Sequence, residues 1–298
     1  MKRLTITLAL LSTISVHGQI ILENEQWGGG VVTTTDQIYS PMQEEDTTGI
    51  IFDWQQTLKD FEKFDGAKQL DRISVSDDSG YKYIQMNGLN LPEIIDENGI
   101  DLFLLTKDGI AIYMAMDAPI YLQDIDDNVV KWIRYYGYQK RAYTKRLFSR
   151  YEKWEQIIKD EFNKRGVPQE LAELCLIESG CTYEAVSPVG AVGMWQIMPE
   201  TGRHYKMTIN QFLDERKDPY KSTVIAGRIL ESNYKKVGEW TLAIAAYNCG
   251  AGRILEQIKK GNGSWDKIQM KLPKETQQYI PSLMAIHYIW TYRKQLGI

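Results

Sequence analysis

The apolar positions of this chain change rhythm along its length. Between Phe52 and Phe64 (FDWQQTLKDFEKF), Trp54, Leu58, Phe61 and Phe64 recur at the three-to-four-residue spacing of one helical face. The spacing then shortens. RISVSDDSGYKYIQM carries β-rich arms on either side of Asp77 to Gly80, and DLFLLTKDGIAIYMAM does so around Lys107-Asp108-Gly109, so each reads as a hairpin. From about Asn128 the helical rhythm returns and holds. Val130, Ile133, Arg134 and Gly137 open one helix, and residues 151–164 make another that Gly166 stops. Pro168 stands at the first turn of QELAELCLIESG, which Gly180 ends. Further helices are expected at 222–236, 240–247, 253–260 and 275–293. The expected class is α+β overall, with a small α+β domain over 19–127 and a mainly α-helical domain over 128–298.

The extreme N-terminus stands apart. LTITLALLSTISV, behind Lys2-Arg3, is too short to span a bilayer and has the layout of a secretory signal with cleavage near Gly18. Residues 1–18 are therefore set aside and the chain is expected to be exported, with no membrane span in the mature form. The next stretch, ENEQWGGGVVTTTDQ, reads as a loose arm.

Composition narrows the class. With 43% apolar and 25% charged residues, the 298-residue chain is neither disordered nor fibrous. The net charge of −4 conceals a division: residues 19–127 hold 22 acidic and 6 basic side chains, and residues 128–298 hold 17 acidic and 27 basic. Either the basic half attracts an anionic partner, or the two halves simply attract each other. Nucleic acid is not expected, because export and the lack of a recognition motif both argue against it. Three histidines and no Cys/His cluster leave no metal site. Phosphate loop, dinucleotide fingerprint and Gly-x-Ser-x-Gly elbow are all missing, so no cofactor is expected.

Carboxylate chemistry remains. Leu171, Leu174, Cys175 and Glu178 fall at i, i+3, i+4 and i+7, which puts Glu178 on the face that must be buried. Desolvation there raises a carboxyl's pKa toward the range of a general acid. The competing possibility is a glutamate fraying to solvent at the last turn. Three further patches carry more aromatic and amide side chains than plain structure needs. SPVGAVGMWQIMPETG holds Trp195, Gln196 and Met198; AAYNCGAG holds Tyr247 and Asn248; LPKETQQYIP puts Glu275 and Tyr279 four apart on one face. Such residues can stack on sugar rings and bind N-acetyl groups, although any single Trp or Tyr is more often core.

Five blocks in order, VPQELAELCLIESG, SPVGAVGMWQIMPETGRHY, DERKDPYKST, WTLAIAAYNCGAGR and LPKETQQYIP, make residues 128–298 resemble the lytic murein transglycosylases of the soluble-lytic-transglycosylase (SLT) domain family, in the membrane-bound type D branch. The resemblance implies a goose-type-lysozyme-like helical domain that binds peptidoglycan glycan strands in the periplasm. It assigns Glu178 as the catalytic acid/base, and Ser187 as the residue assisting near the N-acetyl group. It makes Gln196, Met198, Tyr247, Asn248, Glu275 and Tyr279 substrate-binding residues. The 19–127 segment carries no resemblance.

The implied reaction uses one carboxylate where ordinary glycosidases use two. A hydrolytic muramidase is the alternative, with Asp214, Glu215, Asp218 or Glu184 as second carboxylate; a non-catalytic peptidoglycan-binding protein is another. The cluster at Asp214–Asp218 is expected to be structural. Cys181 and Cys249 depart from the family pattern in two segments that must converge, so either a Cys181–Cys249 disulfide or three free thiols is expected, with Cys175 in the core.

Overall fold

The computed structural model describes residues 20–22, 53–75, 82–86, 89–96, 99–122 and 125–298. The expected leader over 1–18 and the Gly/Thr-rich arm after Leu22 lie outside them. The elements are β1 (Ile20–Leu22), α1 (Trp54–Lys63), β2 (Ile73–Val75), β3 (Lys82–Met86), β4 (Leu89–Glu93) and α2 (Lys107–Asp117). Then come α3 (Asp127–Arg134), α4 (Arg141–Tyr151), α5 (Glu155–Asn163), α6 (Leu174–Ser179) and α7 (Pro199–His204). The chain closes with α8 (Pro219–Val237), α9 (Trp240–Cys249), α10 (Ala251–Lys259), α11 (Trp265–Ile268) and α12 (Lys274–Thr291).

Helix α12 is the hub, packed against α3, α6 and α9. Its apolar residues run almost unbroken from Tyr279 to Trp290 and are buried on nearly every side, the pattern of a helix enclosed by neighbours rather than laid on a surface.

Two expectations for the N-terminal segment are corrected. The arms on either side of Asp77–Gly80 are strands, but β2 pairs antiparallel with β1, and β3 with β4, where Ile84 lies opposite Leu91. The second expected hairpin is helical: a 3₁₀ turn at Leu102–Leu105 runs into α2. Thr106 decides it, because its Oγ1 accepts the Gly109 N–H at 3.0 Å and caps the helix. Ile110, Tyr113 and Met114 then share a buried face at i, i+3 and i+4, a helical period hidden by β-prone residue types. Two-stranded ladders are the widest among the described residues, so the α+β unit expected over 19–127 shows no larger sheet there.

The larger of two hydrophobic clusters runs through both halves of the chain, from Phe61 and Leu104 to Trp132, Leu174 and Ile286. The joint is aromatic. Phe61 stacks on Trp132 with centroids 3.6 Å apart, and Trp54 stacks on the same indole at 5.7 Å. Burying rings of this size contributes roughly 2–3 kcal/mol each. A buried charge also ties the halves: Arg134 donates to the carbonyls of Leu105 (2.8 Å) and Gly66 (3.1 Å) and pairs with Asp71 (2.8 Å).

Candidate active site

Glu178 is placed by the apolar stripe before it. Leu171, Leu174 and Cys175 are fully buried, and the half-buried Glu178 ends the same face. The helix stops at Gly180, whose left-handed φ of 60° turns the chain so that Cys181 N–H returns to the Cys175 carbonyl at 2.9 Å. Ser179 anchors this end, donating to the Met194 carbonyl and accepting from Thr182 N–H, both at 2.9 Å.

Three separate sets of hydrogen bonds cluster near the carboxyl. Tyr279 donates its hydroxyl to Glu178 Oε1. One turn earlier on α12, Glu275 accepts from Asn248 Nδ2 at 3.3 Å, and Thr276 donates to Asn248 Oδ1 at 2.7 Å, fixing the amide's orientation. Tyr247 donates to the Trp195 carbonyl at 2.9 Å. Burial pushes the Glu178 carboxyl up to about 8; the charge of Glu275 adds to this, and the Tyr279 hydroxyl opposes it. Burial, followed by the charge of Glu178, holds Tyr247 and Tyr279 well above the ordinary phenol range, so both keep their protons and serve as donors. A carboxyl in this setting is protonated at neutral pH and can give up that proton, the property of a general acid.

The other expected site residues are distributed differently. Ser187 Oγ accepts from Ala191 N–H at 2.9 Å, and Gln196 Nε2 donates to the Gly193 carbonyl at 2.9 Å. Among the described residues, the side-chain hydrogen bonds of both stay within their own turns. Met198 is 41% exposed at the start of α7. Trp195 is core: fully buried, against Phe162, with its indole N–H on Thr223 at 2.9 Å. The turn that carries these residues depends on Gly193. Its φ is 86°, and a Cβ there would meet the Arg216 carbonyl oxygen at 2.0 Å.

The carboxylates considered for hydrolysis have structural partners. Asp214 is clamped by Arg216 at 3.0 and 2.7 Å, which holds its carboxyl below the usual range. Arg216 also donates to the carbonyls of Gly190 and Ile197, both at 2.9 Å, pinning the loop. Glu215 binds Lys221 and Thr208 N–H, and Asp218 caps α8. Glu184 is exposed. Among the described residues no cluster of three or more His, Cys, Asp or Glu is arranged to hold a metal ion. A cavity lined by Tyr121, Glu239, Trp265 and Met284 contains none of the residues clustered near Glu178.

Of the two arrangements expected of the cysteines, the Cys181–Cys249 bond is not the one present. All three cysteines are free, and Cys181 Sγ lies 3.2 Å from Cys175 Sγ. The tight turn at Gly180 folds Cys181 back onto its own helix, six residues away, rather than toward α9.

Two contributors lie far upstream. Gln55 Nε2 donates to Glu275 Oε2 at 2.9 Å, and the Trp54 ring meets Tyr279 edge-on at 6.3 Å. The sequence marks Trp54 only as part of a helical face and does not single out Gln55.

Residues 155–269 match the family model described as Transglycosylase SLT domain. Membrane-bound lytic murein transglycosylase D of Escherichia coli is 35% identical over 164 residues, covering 54% of this chain and 36% of that protein. A putative tributyltin chloride resistance protein of Alteromonas sp. is 39% identical over 111 residues, 37% of this chain and 54% of that one. The chain thus spans only about a third to a half of the length of these relatives. Among solved structures, an inactive mutant of lytic transglycosylase Slt from Pseudomonas aeruginosa aligns with a TM-score of 0.41 and 19% identity, over 67% of this chain and 38% of that one.

Proposed function

We propose that residues 155–269, which match the transglycosylase SLT domain model, form such a domain and that the protein is a peptidoglycan lytic transglycosylase. It cleaves the β-1,4 bond between N-acetylmuramic acid and N-acetylglucosamine and leaves 1,6-anhydromuramoyl ends. The observation that carries this reading is Glu178, a carboxyl desolvated and pushed up to about 8 beside tyrosine donors.

In this reading protonated Glu178 gives its proton to the bridging oxygen as the glycosidic bond breaks. The neighbouring N-acetyl group stabilises the developing cation. Glu178, now charged, accepts the proton of the muramoyl carbon-6 hydroxyl, whose oxygen closes the anhydro ring. Proton and carboxylate are balanced at the end of the cycle. The Tyr279 hydroxyl stabilises the charged form between the two transfers. Asn248, Tyr247 and Glu275 line the site; Ser187, Gln196 and Met198 contact glycan from the 187–198 loop. No second carboxylate is needed. Glu275, which raises the Glu178 carboxyl, has both oxygens engaged by amides, and the Asp214–Asp218 cluster is held by its own partners.

Export to the periplasm, where the wall is accessible, belongs to the same reading; among the described residues no helix is long and apolar enough to cross a membrane. Digestion of purified sacculi by wild type and by Glu178→Gln, with mass spectrometry of the products, tests the assignment. The wild type should yield anhydro ends, and the variant at least about 10²-fold fewer. Near-normal turnover by the variant would sink it.

A further inference from the structure

The acidic N-terminal segment lies outside the matched domain, yet two of its side chains touch the site. Helix α1 packs against α6, which carries Glu178. Trp54, at its start, sits between two rings of the helical half, stacked on Trp132 and edge-on to Tyr279. That wedge fixes the first turn of α1, and the next residue, Gln55, projects its amide to Glu275 Oε2 at 2.9 Å. The second oxygen of Glu275 is held by Asn248 from α9. Glu275 is therefore gripped by two neutral amides, one from each half of the chain. Neither amide carries charge, so the grip fixes the carboxylate's position without neutralising it.

We propose that Gln55 is a positioning residue of the glycan-cleaving site, holding Glu275 at a fixed place beside Glu178. The inference rests on the lytic transglycosylase reading. It gives the segment over 19–127 a role in catalysis: α1 completes a wall that the matched domain lacks. The charged and titratable groups facing Glu178 are Glu275 and Tyr279 from α12 and Tyr247 from α9; α1 adds the neutral Gln55. Removing the Gln55 amide frees Glu275 to swing away. A negative charge near an acid favours its protonated form, so losing that charge lowers the pH at which Glu178 ionises. The alkaline limb of the rate profile, which reports loss of the acid form, then moves to lower pH.

The test uses the full chain carrying Gln55→Leu or Gln55→Glu. Gln55 is exposed, so melting temperatures should stay within about 1 °C of wild type, as surface changes usually do. Gln55→Leu should lower kcat on glycan strands about 5-fold, a modest loss for a displaced neighbour of the acid, with KM nearly unchanged and the alkaline limb shifted down. Gln55→Glu should be weaker still near neutral pH. Carbon-13 NMR titration of the Glu178 carboxyl, which needs no turnover, should show the same downward shift in Gln55→Leu. Unchanged kcat, limb and titration in Gln55→Leu would overturn the proposal, as would losses that merely follow a lowered melting temperature. If the wild type yields no anhydro product, the functional reading fails, and the titration alone decides whether Gln55 sets the position of Glu275.

Discussion

Replacing Glu178 by Gln should make the protein more stable, by an amount that depends on pH. In the folded chain the Glu178 carboxyl ionises near 8 rather than at the ordinary 4.5. Below pH 4.5 both folded and unfolded forms are protonated, and the group contributes nothing to the pH dependence. Between 4.5 and 8 the unfolded chain releases a proton that the folded chain retains, so stability falls by about 1.4 kcal/mol per pH unit. Above 8 both forms are ionised and the loss is complete. At pH 7 the full shift corresponds to about 3 kcal/mol; relaxation around a half-buried side chain reduces this to roughly 2 kcal/mol. Glutamine fills nearly the same space and has nothing to ionise. Urea unfolding of both proteins from pH 4 to 9 should give curves that coincide near pH 4, diverge through neutrality and run parallel above about pH 8. At pH 7 the variant should melt several degrees higher. A difference that is flat across pH, or a variant less stable at pH 8 than the wild type, would refute desolvation of Glu178 as the cause.

Other expectations follow from the same contacts. Tyr279→Phe removes the hydroxyl that stabilises charged Glu178, so the alkaline limb of the kcat profile should move up by about one unit, the scale of a charge-assisted hydrogen bond; a downward or absent shift contradicts the contact. Gly193→Ala should destabilise by roughly 2–4 kcal/mol, because a left-handed backbone and a Cβ against the Arg216 carbonyl act together; a change under 1 kcal/mol in urea unfolding would show that the turn relaxes. Non-reducing peptide mapping should find no Cys181–Cys249 linkage, and any bond formed on mild oxidation should join Cys175 to Cys181, whose sulfurs are 3.2 Å apart.

The site was partly legible from residue spacing. Leu171, Leu174 and Cys175 fixed the face of Glu178 even though the segment divides into a 3₁₀ turn and a short α-helix, because both keep successive side chains on nearly one side. Glu275 and Tyr279 were readable for a similar reason, being one turn apart on a regular helix. Aromatic residue type alone could not separate core from site: Trp195 is enclosed, while Tyr247 is half-buried beside Glu178. Segment 102–117 misled because β-prone residues outweighed a Thr106 cap whose effect depends on the Gly109 N–H being in reach. Gln55 had no local signature. Its partner lies 220 residues away, and only the packing of Trp54 between Trp132 and Tyr279 brings the two together. For the cysteines the sequence left a bond and free thiols both open, and the local turn that returns Cys181 to Cys175 accompanies the free-thiol arrangement.

The most direct test of a single-carboxylate transglycosylation is the origin of the product oxygen. Purified sacculi are digested with the wild-type protein in water enriched in oxygen-18, and the muropeptides are separated and weighed. Ring closure by the substrate's own carbon-6 hydroxyl should give muramoyl ends one water lighter than hydrolytic ends and free of heavy oxygen. Reducing muramoyl ends carrying one oxygen-18 would mean that water is the nucleophile, and would contradict the assignment of both proton transfers to Glu178.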